Sequence, residues 1–219
     1  MSLLMRVNAP FSLARTVLTM DIDKFYAATA MPDRDWWQAL WPDPEGMLYA
    51  LGVKPEMTVL DLCCGDGYFT TPLAALVEGK VIGLDIDPVM LDQARAEVAR
   101  LGASVRRWVC GDADELAELL SERFDFILIA NTFHGVPGQT SLARAAASVL
   151  SRGGRFAVVN WHQIPRVQTL VLDKPRGPKT EMRMSPEQVR TVVEPAGFAL
   201  VDLVEFPPYH YGAVFRIVS

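Results

Sequence analysis

From Met57 onward the chain alternates between two rhythms of apolar and polar positions. Short apolar runs at 57–62, 80–85, 105–110, 124–130 and 153–161 read as buried strands. Between them lie stretches of helical period. Phe69, Leu73 and Leu76 share one face of a helix reaching Val77. Leu91, Ala94, Val98 and Leu101 share another, and Leu142, Ala145, Ala146 and Val149 a third. Pro88 opens the second of these helices at its first turn, where proline is favoured. Asp114 fits an N-cap for a short helix over 115–120, and Gly153-Gly154 is expected to end the helix before the fifth strand. Such alternation demands a parallel sheet with helices on both faces.

The tail departs from this rhythm. Ser185-Pro-Glu-Gln188 is a capping pattern, with Ser185 at N-cap, Pro186 at N1 and Gln188 at N3, for a helix reaching Pro195-Ala-Gly197. Phe198–Phe206 and Ala213–Val218 then read as strands joined by Pro207-Pro-Tyr-His-Tyr-Gly212. Too few residues separate them for a crossover, so they are antiparallel. Before Met57, residues 1 to about 20 have no period. The stretch from Ile22 to Leu51 holds Phe25, Tyr26, Trp36, Trp37, Trp41 and Tyr49, broken into short helices by Pro32, Pro42 and Pro44. Asp33 fits an N-cap for a helix over Arg34–Leu40. This segment reads as a helical cap, either burying its rings against the sheet edge or closing over a ligand, and the two are compatible.

The first strand, broken only by Asp61, runs into Cys63-Cys-Gly-Asp-Gly67 and then a helix. Strand, glycine turn, helix is the geometry that holds a nucleotide-like ligand at the carboxyl end of a strand. A third glycine is missing, and Tyr68 and Phe69 stand where a dinucleotide site packs its helix close, which argues against a pyrophosphate cradle. The second strand ends at Asp85, whose carboxylate can accept both hydroxyls of a ribose.

Val59-Leu-Asp-Leu-Cys-Cys-Gly-Asp-Gly67 resembles motif I of the class I S-adenosylmethionine (SAM)-dependent methyltransferases. Gly83-Leu-Asp-Ile-Asp-Pro-Val-Met-Leu91 is similar to their second motif, and Cys110-Gly-Asp-Ala113 to the third. The resemblance covers about Thr58 to Trp161 and is nearest to the small-molecule, ubiquinone-biosynthesis-like group. It implies a Rossmann-like doubly wound α/β sheet of seven strands, order 3-2-1-4-5-7-6, with strand 7 antiparallel and an N-terminal helical cap. Residues 1–52 would be the extension and cap, and 53–219 the methyltransferase domain with a lid insertion at 162–184. SAM would be the cofactor. Tyr26, Asp61, Cys63, Gly65, Gly67, Asp85, Ile86, Met90, Gly111, Asp112, Ala113 and Asn131 would contact it, Asp112 at the adenine amino group.

Composition narrows the partners. The 219 residues are half apolar and carry a net charge of −5, which gives no electrostatic reason to expect nucleic acid. No apolar run reaches the ~20 residues of a membrane span. The first 18 residues lack the compact apolar core of a signal peptide. Three cysteines make neither a disulfide framework nor a zinc pattern, so a reducing, cytoplasmic setting is expected and no metal.

Ligands in such sheets bind outside the carboxyl ends of the strands. All three histidines, His134, His162 and His210, fall in loops on that edge, as do Tyr209 and Tyr211. Methyl transfer is mostly alignment and desolvation, and needs a base only for a nucleophile that carries a proton of high pKa. His134, His162, His210 and Tyr211 are therefore candidates, none obligatory. Trp36, Trp37, Phe133, Arg166 and Tyr209 are candidates for substrate contact, with Tyr209, His210 and Tyr211 as a pocket wall. The lid holds Arg166, Lys174, Arg176, Lys179 and Arg183 against Asp173 and Glu181, five cations to two anions, which suggests an anionic small molecule. The competing readings are a SAM-binding protein of other or no chemistry and, less well supported by the turn, an NAD-dependent oxidoreductase. Oligomeric state is not readable from the pattern.

Overall fold

The computed structural model describes residues 32–218, so Tyr26 lies outside the described residues. Two short helices, α1 (Arg34–Leu40) and α2 (Pro44–Ala50), precede the alternating core. The core runs β1 (Val59–Leu62), α3 (Thr70–Leu76), β2 (Val81–Asp85), α4 (Pro88–Arg100), β3 (Arg107–Cys110), α5 (Leu116–Leu119), β4 (Phe124–Ala130), α6 (Gln139–Val149) and β5 (Leu150–Trp161). A two-stranded hairpin, β6 (Leu170–Val171) and β7 (Lys174–Pro175), sits in the 162–184 segment. Then come α7 (Pro186–Val193), β8 (Phe198–Phe206) and β9 (His210–Ile217).

The seven-stranded sheet has the order β3-β2-β1-β4-β5-β9-β8. The first five strands are parallel, and β9 is antiparallel to both β5 and β8. With the lid hairpin left out of the count this is the expected order, 3-2-1-4-5-7-6. Side chains alternate across the pleat. Leu60, Leu62, Ile127, Ile129, Phe156 and Val158 face a largely aliphatic cluster that includes residues of α6 and α7. Val59, Phe126, Leu128, Ala157, Val159 and Trp161 face the other way, against Trp36, Trp37, Trp41, Phe69 and Leu73. The cap helices are therefore part of the second core. Trp41 packs edge-on against Trp37 at 6.2 Å and Phe69 at 5.4 Å.

Several local expectations change. Gly153 and Gly154 lie inside β5, which starts at once after α6; the β4 register shifts there, between Phe124 and Phe126. Asp33 makes no side-chain cap on α1. Asp112, not Asp114, caps the turn at 113–115, accepting from the Asp114 N–H at 3.0 Å. The capping box at Ser185 and Gln188 is complete. The last strand starts at His210 rather than Ala213, so the connection after β8 is shorter than expected. The 162–184 segment is not simply irregular. It is folded around Arg183, whose buried guanidinium donates to the carbonyls of Pro178, Ile164 and Arg176 and to the Thr169 hydroxyl.

Trp41 touches the core on several sides and does not line the ligand cavity described below. Trp41→Ala should cost about 3–5 kcal/mol, as for other large-to-small changes of buried aromatics. Val167 is 72% exposed. Val167→Ala should stay within about 0.5 kcal/mol. Urea denaturation of both variants checks the pair.

Candidate functional site

The carboxyl edge of β1, β4 and β5 carries a cavity of about 230 Å³. Its floor is Asp61, Cys63 and Cys64; Tyr68 and Phe69 come from the turn and start of α3; Ala130 ends β4, and Asn131, Thr132 and His134 follow it. Trp36 and Trp37 of α1, Trp161 of β5, and Arg166, Arg176, Gly177 and Pro178 of the lid close it. Alternation explains the floor. Asp61 shares its strand face with Val59, so its carboxylate is forced into the aromatic side of the sheet.

The turn below the cavity is sharp. Cys63, Gly65 and Gly67 all have φ between 55 and 81°. At Gly67 an added Cβ would also lie 2.9 Å from that of Ala94, so α4 packs against bare backbone. Asn131 is left-handed too, at φ 59°. Left-handed non-glycine residues are held only where their surroundings over-determine them, and they cluster at ligand sites. Cys63 and Asn131 both line the cavity.

Asp61 is buried and accepts one hydrogen bond, from the Thr70 hydroxyl at 2.5 Å. Burial, partly offset by Thr70, raises its pKa to about 7. Burial likewise pushes the thiols of Cys63 and Cys64 well up, which disfavours their thiolate forms. The Trp37 indole N–H, both amide atoms of Asn131, His134 Nε2 and Arg176 Nε are buried with no hydrogen-bond partner among the described residues. Buried polar atoms without partners are rare, and each needs an explanation. All four residues line this cavity.

Asp85 ends β2 next to the turn. Its two oxygens accept from the N–H of Gly65 at 2.8 Å and of Asp87 at 2.9 Å, and burial raises its pKa. Each oxygen keeps a further lone pair. Gly111 and Asp112 follow β3, the neighbouring strand, and are partly exposed, as are Ile86 and Met90; Ala113 is buried in the aliphatic core. Phe133 belongs to that core as well.

The histidines separate. His134 borders the cavity; His162 does not, and its Nε2 is 2.8 Å from Glu205 on β8. His210, now on β9, is sandwiched at 4.5 Å from Trp41 and 4.1 Å from Trp161, and burial drives its pKa well down. Tyr211 points to the opposite face, where its hydroxyl donates to the Met184 carbonyl at 2.8 Å. Tyr209 stacks on Trp161 and donates to the carbonyl of Leu170, holding the lid hairpin. None of the three is a described lining residue of the cavity. For Tyr211 the pleat is the reason, because a strand beginning at His210 sends its second side chain to the opposite face. Arg176 and Trp161 were not singled out in the sequence. Arg176 was legible as one of five lid cations, and Trp161 as the terminal residue of an apolar run.

Residues 59–154 match the family model described as a methyltransferase domain. Over those residues the chain is similar to methyltransferase domains. A demethylmenaquinone methyltransferase of Lactococcus lactis is 30% identical over 144 residues, 65% of this chain and 54% of that protein. A 2-phytyl-1,4-naphtoquinone methyltransferase of Synechococcus elongatus is 34% identical over half of this chain and 48% of its own length. The chain thus spans about half the length of the curated relatives it matches. A SAM-dependent methyltransferase structure from Aquifex aeolicus is 26% identical, with a TM-score of 0.69 over 83% of this chain and 92% of that one. The glycine turn and Asp61 both fall within the matched methyltransferase domain. Among the described residues no helix is long and apolar enough to cross a membrane.

Asp61 gives a pH test. Its folded pKa of about 7 lies above the ordinary 3.8, so the folded state binds the proton more tightly than the unfolded chain. Stability should therefore fall as pH rises from about 4 to 7, by up to about 4 kcal/mol from this group. Asp61→Asn should flatten that slope in denaturant titrations across the range. An unchanged slope would place the buried charge elsewhere.

Proposed function

We propose that this chain transfers the methyl group of SAM to a small-molecule acceptor that is anionic or bears an electron-rich oxygen. The observation that carries the reading is the cavity itself. It joins a buried carboxylate, unpartnered amide, indole and imidazole groups, and two lid cations at the carboxyl edge of the sheet.

The chain's residues fit the cofactor. Asp61 would hold the ammonium group, which also supplies the counter-charge this carboxylate lacks. Asp85 would take the ribose hydroxyls with its spare lone pairs, beside Gly65 and Gly67. Ile86 and Met90 would flank the adenine, and Gly111, Asp112 and Ala113 would meet its edge. Cys63 and Asn131 lie at the cavity end, where Asn131 would orient the methionine portion. Bound there, the cofactor supplies a methyl on a cationic sulfur, so electrophilic help is little needed. What remains for the protein is alignment and exclusion of water. Trp36, Trp37 and Phe69 form aromatic walls for a flat acceptor, and Arg166 and Arg176 offer positive charge to its oxygen. Quinone substrates in the names of the two relatives agree with such an acceptor. Within this reading 1–52 is the cap, 53–219 the catalytic domain with 162–184 as lid, and the site of action is cytoplasmic.

Calorimetric titration should show binding of S-adenosylhomocysteine and none of NAD. Asp85→Ala should weaken it by about 1.5–3 kcal/mol, the worth of hydrogen bonds to a charged group. NAD binding with no S-adenosylhomocysteine signal would overturn the reading.

Arg176→Ala should keep S-adenosylhomocysteine affinity while slowing methyl transfer to a panel of quinols and phenolic acids. Normal turnover of that panel by the variant would remove the anionic-acceptor part.

A further inference from the structure

His134 is held differently from the other two histidines. It is buried just after β4, and its ring borders both the ligand cavity and a second, outer hollow lined by Gln139, Met182, Met184 and Val192. Its Nδ1 lies 3.3 Å from Oδ1 of Asn160, which is fully buried near the end of β5. Its Nε2 has no partner among the described residues. An amide oxygen can only accept, so this contact requires the proton on Nδ1 and leaves the lone pair on Nε2.

We propose that His134 is the proton acceptor of the methyl transfer and that Asn160 is the positioning residue that fixes its tautomer. The acceptor class follows: a nucleophile that still carries its proton when bound, such as a phenolic or enolic hydroxyl. This rests on the methyltransferase reading above. As the acceptor oxygen gains the methyl, the carbon–sulfur bond breaks and its electron pair stays on sulfur. The acceptor's O–H proton passes to Nε2 and afterwards to water. Burial and the charge of Arg183 keep the ring neutral in the resting protein, opposed by the Asn160 hydrogen bond. Arg166, Arg176 and Asp61 are the other charged groups around the same cavity. Arg183 disfavours imidazolium, so the proton is held briefly.

The test uses the full chain labelled with ¹⁵N-histidine, in which three histidines give a simple long-range proton–nitrogen spectrum. His134→Gln assigns the resonance. At neutral pH the wild type should show Nδ1–H with a bare Nε2. Asn160→Asp, nearly isosteric, should raise the His134 pKa by about one to three units. Asn160→Leu should lose the tautomer preference. With S-adenosylhomocysteine present, phenol should shift the Nε2 resonance as it donates its hydroxyl. An Nε2–H tautomer in the wild type, an unmoved pKa in Asn160→Asp, or no phenol shift would each overturn the assignment. Failure of S-adenosylhomocysteine to bind would instead overturn the methyltransferase reading, and the tautomer result is read without it.

Discussion

The pleat of the strands is the constraint on which the rest depends. Each strand has two faces, and a slip of one residue would exchange them. On β5 and β9 the pairing is fixed: Asn160 stands opposite Tyr211, and Trp161 opposite His210. One pair therefore faces the aliphatic core and the other the tryptophans of the cap. The same rule puts Asp61 among rings rather than in water. A carboxylate in that position costs free energy until a cation meets it. The strand pattern thus imposes an unfavourable contact that the fold cannot avoid.

The lid depends on a second arrangement, centred on Trp161. Arg183 lies 4.8 Å over one part of its surroundings, the indole ring, and Tyr209 stacks at 6.1 Å. Gly177 passes so close that any side chain there would meet the indole at 2.7 Å. A buried guanidinium is tolerated only if its donors are filled. Here lid carbonyls and one hydroxyl fill them, and the cation in turn gathers the loop. Burial and Arg166 lower its pKa to about 10, which leaves it charged near neutrality. The second core and the lid therefore meet at Trp161 and Val171, beside the cavity.

What was legible in the sequence was periodic or punctuated. The apolar runs gave the five parallel strands, and the short connection after Phe206 gave the antiparallel end. Ser185-Pro-Glu-Gln188 gave a cap that is complete in the structure. Asp61, Cys63 and Asn131 were reached through the turn and the strand ends, and all three line the cavity. The misses have a common cause. Gly153-Gly154 reads locally as a helix stop, yet β4 pairs with Leu150 before it and with Arg155 after it, so the strand spans it. Pro207 to Gly212 reads as a loop, yet β5 pairing draws His210 and Tyr211 into the sheet. Hydrogen bonds between segments far apart in the chain decided both places, and no local window contains them. The partnership of Asn160 with His134, 26 residues apart, is invisible for the same reason.

The way Arg183 holds the lid has a consequence for divergence among homologous chains. Three of its four bonds go to main-chain carbonyls, which every residue type possesses. The frame of the lid is therefore indifferent to most of the side chains mounted on it. Val167 and Leu170, both exposed, can be exchanged without disturbing the tether, whereas Arg183, Thr169 and Gly177 cannot. Such a separation leaves the exposed lid positions free to vary while the anchoring positions are held.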